Sequence, residues 1–359
     1  MRILHISECI KGGVGTYLNE LYNNKHSNFN YHLFIPENEV QYISQKIKKN
    51  NDFTTFKREK RNLSFLIFFF IFIRNNIKKI NPDIIHLHSS FAGFIVRFYY
   101  IFKFKQPKMI YCPHGWSFLM DTNIIKRKIF FWIELFLSIK TDFIINISDY
   151  EYNQSTYLGI SKKKSIIIKN GINKKLNDSD SKVLFYHNNK INFLFVGRNN
   201  QAKGFKELYH YFNNKTDYIL HVVGNFIHDN NTKYKNSENI FFYGWIDNEN
   251  IHNYYIQSDY VIIPSRWEAF GLVGIEAMKY SKPLIVSNRG ALKELIKEGV
   301  NGYIFDFDNF NNSLNTIIMK LNSTDVKKLG ENSFIRFNEK YSIEKTIERI
   351  NKLYNSLIK

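Results

Sequence analysis

The chain has 359 residues, of which 44% are hydrophobic and 17% aromatic, and a formal net charge of +18. That length exceeds one comfortable hydrophobic core, so two domains are expected, and the apolar content excludes a disordered chain. Two cysteines, Cys9 and Cys112, without a Cys-x-x-Cys, exclude a disulfide scaffold and fit a cytoplasmic location.

The elements alternate in chain order. "RILHIS" reads as a strand and "GGVGTYLNELYNN" as a helix after a glycine turn. "LSFLIFFFIFI", Leu63 to Ile73, is apolar but shorter than the roughly 20 residues that span a bilayer. It reads as a buried helix or one that touches a membrane. "PDIIHLHSS" is a strand feeding the helix "FAGFIVRFYYIF", and "KMIYCPH", "DFIINIS" and "SIIIKNGI" continue the strand series. Polar residues 173–190 read as a linker. Beyond it, "INFLFVGR", "YILHVVG", "NIFFYG", "DYVIIPS", "PLIVS" and "GYIFD" form a second strand series, over residues 191–340. Residues 341–359 carry Ile343, Ile347, Ile350, Tyr354 and Leu357 at helical spacing. Strands alternating with helices imply an α/β fold of two doubly wound, Rossmann-like domains facing a cleft, the first over residues 1–172. Ligands in such sheets bind beyond the carboxyl ends of the strands. "MRILHIS" looks like a first strand, not a secretory leader.

The basic excess points to an anionic partner: nucleic acid, a membrane surface or a phosphorylated substrate. Part of it belongs to a composition rich in Asn, Lys, Ile, Phe and Tyr, as AT-rich coding produces. No RNA-platform or recognition-helix signature supports nucleic acid. "NIIKRKIFFWIELFLSIK", residues 123–140, sets Lys126, Arg127 and Lys128 beside an aromatic-rich face. It reads either as an interfacial membrane helix or as a core helix with a charged start.

The chemistry concentrates in "PSRWEAFGLVGIEAM". Glu268 follows a strand end, the turn "AFGLVG" opens a helix with free N–H groups, and Glu276 lies about one turn inside it. In "FVGRNNQAKGFKEL", Arg198 and Lys203 bring two cations to the carboxyl side of the second sheet. Two carboxylates that accept hydroxyl hydrogen bonds on either side of a diphosphate held by cations describe a nucleotide sugar. The first glycine turn, "KGGVGTYL", is either an anion site or a tight turn, and it lacks both the dinucleotide and P-loop patterns. His86 and His88 share a strand face, but no third metal ligand is evident. His114 is either a functional residue or a strand-capping histidine, and Cys112 reads as a buried thiol. The Asp178/Asp180 and Asp306/Asp308 pairs adjoin none of these motifs.

These residues resemble glycosyltransferase family 4, retaining enzymes of the GT-B fold. The resemblance runs through "GGVGTYL", "PDIIHLH", "PHG", "ISDYE", "KNGIN", "VGRNNQAKG", "VVGN", "FYGWID", "PSRWEAFGLVGIEAM", "KPLIVSNRGALKELI" and "EGVNGYIF". It implies that Arg198 and Lys203 bind the donor diphosphate, Glu276 the ribose and Glu268 the transferred sugar. It implies backbone contacts from Phe270, Gly271, Leu272 and Val273, and from Ile246 to the base. Gly13 would approach the donor, and His114 would lie near the reacting carbon. The last helix would cross back to the first domain. "GRNNQAKG" departs from the family in carrying Asn-Asn-Gln ahead of Ala-Lys-Gly. The implied reaction moves a hexose-type sugar, with UDP as the expected carrier, to a glycan or lipid-linked acceptor in surface-polysaccharide synthesis. No metal or other cofactor is expected, and the implied location is cytoplasmic, peripheral at the inner face of the plasma membrane. A retaining glycoside hydrolase using Glu268 and Glu276, or a non-catalytic basic binding protein, is the alternative.

Overall fold

The computed structural model describes residues 1–58, 62–176, 185, 190–213, 215–225, 234–247 and 249–357, without the side chains of residues 323 and 324. The chain divides into two compact units, residues 1–173 with 343–359, and residues 174–342. Most of the expected linker, including Asp178 and Asp180, lies outside the described residues.

The first unit runs β1 (Arg2–Ser7), α1 (Gly13–Asn23), β2 (Asn30–Pro36), α2 (Gln45–Asn50), β3 (Phe53–Phe56), α3 (Leu63–Ile80) and β4 (Ile84–His88). It continues with α4 (Ser90–Ile101), β5 (Lys108–Cys112), α5 (Ile124–Leu137), β6 (Phe143–Asn146), α6 (Asp149–Leu158) and β7 (Ser165–Ile167). Its seven strands pair in parallel in the order β3-β2-β1-β4-β5-β6-β7. Every residue of β4 is buried, as befits a strand covered on both faces. The sequence pattern did not reveal β2 and β3. The "FTTF" of β3 is a short edge strand with one fully buried residue, so it has little alternation to read.

The second unit runs β8 (Ile191–Val196), α7 (Phe205–Phe212), β9 (Tyr218–Val223), β10 (Ile240–Gly244), α8 (His252–Gln257), β11 (Tyr260–Ile263) and α9 (Leu272–Lys279). There follow β12 (Leu284–Ser287), β13 (Gly302–Phe305), α10 (Phe310–Ile318) and α11 (Ser323–Lys340). Its six strands are parallel in the order β10-β9-β8-β11-β12-β13. In both sheets the order reverses beside the first strand, between β1 and β4 and between β8 and β11. Such a reversal leaves a crevice at the strand ends.

The last helix, α12 (Ile343–Ser356), belongs to the first unit. Its Ile343, Ile347, Ile350 and Tyr354 are buried, one apolar stripe of an otherwise polar helix. The Thr346 hydroxyl donates to the Lys169 carbonyl at 2.9 Å, and the Tyr354 hydroxyl meets His86 Nδ1 at 2.7 Å.

Helices α4 and α5 are tied to each other and to β5 from within. On α4, buried Arg97 pairs with Glu134 of α5 at 2.6 Å and lies 3.8 Å from the Tyr111 ring centroid; the Tyr111 hydroxyl donates to Glu134 at 2.9 Å. A charge buried this deeply is tolerable only because its partner and hydrogen bonds come with it.

Candidate active site

In the second unit the loop after β8 is pressed against the end of β11. The Asn200 side chain accepts from the Lys203 N–H at 3.1 Å and caps a short turn, Gln201–Lys203. The unusual Asn-Asn-Gln therefore supplies its own cap. Gly204 has φ 65°, and a Cβ there would lie 1.9 Å from the Pro264 carbonyl oxygen, so only glycine fits. The Arg266 N–H donates to the Ala202 carbonyl at 2.8 Å and closes the contact.

This approach brings Lys203 Nζ to 2.6 Å from the Glu268 carboxylate, which also accepts from the Ser265 hydroxyl at 3.4 Å. The Glu268 carbonyl accepts from the Ala291 N–H at 3.0 Å, so backbone and side chain are both tied. Arg198 is exposed and has no side-chain partner among the described residues. The two expected phosphate-binding cations thus differ: one is open to a ligand and the other is held by a carboxylate.

Gly271, at φ 96°, turns the chain into α9. Among the described residues, the N–H groups of Phe270, Gly271, Leu272 and Val273 donate to no partner, whereas that of Gly274 donates to the Gly271 carbonyl at 2.9 Å. Unfilled amides at a helix start attract an anion. Phe270 itself is buried, with its ring edge-on to Tyr341 at 5.9 Å, so only its backbone faces a ligand. Glu276, one turn in, accepts from the Tyr255 hydroxyl at 2.8 Å. Burial raises the Glu276 pKa, with the Tyr255 hydrogen bond and Lys279 opposing it. The two glutamates are therefore not equivalent: one is paired with a cation, the other with a neutral phenol. Ile246 lies half-buried just after β10.

Asp306 and Asp308 sit past β13 and are already engaged. Asn288 donates to Asp306 at 2.7 Å, and Arg289 pairs with Asp308.

In the first unit, the glycine turn has an occupant that the sequence reading did not single out. The N–H groups of Ile10 and Lys11 donate to Glu39 at 2.6 and 3.1 Å. Arg58 ties Glu39 and Glu8 together at 2.6 and 3.2 Å. At these two amides the anion is the chain's own carboxylate. Gly13 is the first residue of α1, beyond that contact. A Cβ at Gly15 would lie 2.0 Å from the Ile10 carbonyl oxygen, so the turn is tight as well.

His114 follows β5 at φ 51°. Its Nε2 lies 3.0 Å from His88 Nδ1, and His88 Nε2 lies 3.0 Å from His5 Nδ1. Burial lowers the His5 and His114 pKa values to about 3, with Lys25 adding to the shift at His5. Burial, then neighbouring imidazoles, lowers His86 and His88 well below the usual range. The sequence offered no third partner for His86 and His88. The register of β1 against β4, with His5 opposite His86, supplies it. His5, His86 and His88 each offer a ring nitrogen within 4.8 Å of the others. Both ring nitrogens of His88 are already hydrogen-bonded, one to His5 and one to His114, so a metal there would have to displace one of these contacts. Cys112 is buried and its thiol pKa is raised well above normal, mainly by burial, which leaves it a poor nucleophile.

On the outside of the first unit, α4 packs against both α3 and α5. Ile125, Ile129, Trp132 and Phe136 form an exposed stripe along α5, and Leu63, Ile67 and Ile71 another along α3. Lys126 and Lys128 are exposed, while Arg127 donates to the Phe118 carbonyl at 2.9 Å. Among the described residues no helix is long and apolar enough to cross a membrane.

Residues 11–176 match the family described as Glycosyltransferase Family 4, and residues 177–334 that described as glycosyl transferases group 1. An uncharacterised 41.2 kDa protein in the cps region of Klebsiella pneumoniae is 38% identical, with 87% of each chain covered. The Escherichia coli UDP-Gal:alpha-D-GlcNAc-diphosphoundecaprenol alpha-1,3-galactosyltransferase is 24% identical over 79% of this chain and 77% of its own. Among solved structures, Anabaena Alr3699/HepE in complex with UDP-glucose superposes with a TM-score of 0.78 at 15% identity, covering 99% of this chain and 100% of that one. Two parallel α/β units, loops that carry cations and carboxylates to the strand ends, and these matches together show that the chain belongs to the family 4 glycosyltransferases of GT-B fold.

Proposed function

We infer that the protein is a retaining glycosyltransferase that moves a hexose-type sugar from UDP to a glycan or lipid-linked acceptor in surface-polysaccharide synthesis. The observation that carries this reading is the Lys203–Glu268 pair beside the unfilled amides of α9. A diphosphate draws Lys203 and Arg198 to its oxygens and takes the α9 amides as further donors. Glu268, released from Lys203, then accepts hydrogen bonds from sugar hydroxyls, while Glu276 accepts them from the ribose. Phe270 to Val273 act through their backbone, Ile246 contacts the base, Gly13 approaches the donor, and His114 contacts the transferred sugar. Leaving-group charge is met by protein cations and amides, so no metal is required for that task. No nucleophile is assigned to the far side of the sugar, which favours same-face attack with the leaving phosphate taking the acceptor proton. The galactosyltransferase and the cps-region protein support a surface-glycan acceptor. Thermal-shift screening of nucleotide sugars, followed by NMR of the product's anomeric configuration, tests the reading. An inverted product, or no response to any nucleotide sugar, would refute it.

The exposed apolar stripes of α3 and α5, with Lys126 and Lys128 on α5, support contact with an anionic membrane surface, the inner face of the plasma membrane, where a lipid-linked acceptor would be met. Each basic residue near such a surface contributes about 1 kcal/mol.

A further inference from the structure

The imidazoles behind His114 form a directional chain. His5, His88 and His114 are joined end to end by two nitrogen–nitrogen contacts of 3.0 Å. Burial keeps all three neutral. A neutral imidazole has one N–H and one lone pair. His88 therefore donates at one end and accepts at the other, and only two arrangements of the chain exist.

In the first, His5 Nδ1–H donates to His88 Nε2 and His88 Nδ1–H donates to His114 Nε2. His114 then carries its proton on Nδ1, and His5 Nε2 is a bare lone pair. In the second, every bond is reversed. His114 Nδ1 becomes the lone pair, and His5 Nε2 must carry a proton. His5 Nε2 is buried and has no hydrogen-bond partner. A buried N–H without an acceptor is the rarer and costlier orphan, so the blind end of the chain selects the first arrangement.

We propose that His88, fed by His5, is a positioning residue that locks His114 as the Nδ1–H tautomer, so that His114 offers a hydrogen-bond donor to a ligand oxygen and cannot serve as a general base. His114 Nδ1 has no partner among the described residues, which leaves that N–H for a ligand. That the ligand is the transferred sugar rests on the proposed function; the tautomer does not. His86 lies against this chain without a hydrogen bond to it: its Nδ1 is on the Tyr354 hydroxyl and its Nε2 has no partner among the described residues.

The test is a long-range proton–nitrogen NMR spectrum of the unliganded protein labelled with nitrogen-15 at histidine, with the His114 signals assigned by their loss in His114→Asn. The expected result is a protonated-type Nδ1 and a lone-pair-type Nε2 on His114. His88→Phe should turn these into the averaged signals of a free imidazole. His5→Phe should keep the wild-type pattern, because the blind end then falls on His88 Nε2. A His114 protonated on Nε2, an equal mixture in the wild type, or a pattern untouched by His88→Phe would each overturn the proposal. If His88→Phe does not fold, the wild-type and His5→Phe spectra still decide. The spectrum is separate from nucleotide binding: failure to bind any nucleotide sugar overturns the proposed function and leaves the tautomer decided by the nitrogen signals.

Discussion

Glu268→Gln is expected to strengthen the binding of free UDP while lowering turnover. The unliganded protein holds Lys203 Nζ on Glu268 at 2.6 Å, with both side chains partly buried. A diphosphate must break that contact before it can use the lysine. A partly buried ion pair of this kind contributes about 1 kcal/mol. Removing the carboxylate charge releases that amount to the ligand, a gain of up to about fivefold in affinity. Turnover should fall, because the sugar loses the acceptor that orients it. Lys203→Met removes a charge-assisted contact to phosphate worth about 1.5–3 kcal/mol, so UDP should bind roughly tenfold to a hundredfold more weakly. In the double variant the benefit of Glu268→Gln should vanish, since no lysine remains to be freed. Isothermal titration of the four proteins with UDP, together with initial rates, gives the full cycle. A tenfold loss of UDP affinity in Glu268→Gln, or a gain that persists without Lys203, would refute the competition between carboxylate and phosphate.

Glu276→Gln should weaken UDP binding roughly tenfold to a hundredfold, since a neutral amide replaces a charged acceptor for the ribose; an unchanged dissociation constant would remove Glu276 from the nucleotide site. The same variant carries a stability signature. Burial raises the folded-state pKa of Glu276, so its ionisation costs folding free energy as the pH rises past the unfolded value of 4.5. The gain in Tm on Glu276→Gln should therefore be larger at pH 7 than at pH 4, and equal gains at both would contradict it. The histidine chain gives the opposite slope: with folded pKa values near 3 at His5 and His114, stability should drain away as the pH falls below 6.5. His5→Phe should flatten that decline in a series of melts, and a wild-type Tm constant from pH 7 to pH 4 would argue against buried neutral imidazoles. Sugar transfer should survive excess EDTA, and a loss restored by magnesium or manganese would show that protein cations are not enough. Flotation with anionic liposomes at low salt should carry the protein upward, and Lys126→Glu with Lys128→Glu should abolish it; wild-type protein left at the bottom would reject the membrane surface.

The chain's local chemistry was enough to expose the alternation of strands and helices, the two strand series and the glycine turns that end β1 and β8. It also exposed the placement of Glu268 and Glu276 on either side of the start of α9, because each of these is written in residues close in sequence. The period of the apolar residues in α12 was equally plain. What needed tertiary structure was every contact set by strand order and register. Lys203 and Glu268 are 65 residues apart and meet because β8 and β11 are neighbours and Gly204 lets their loops touch. Glu39 enters the first glycine turn from the segment after β2, a strand the pattern did not reveal. His5 joins His86 and His88 only because β1 lies beside β4 in one register, and a shift of one residue would turn its ring to the other face of the sheet. Sequence separation hides such contacts, since the chain carries no local mark of which strand will lie beside which.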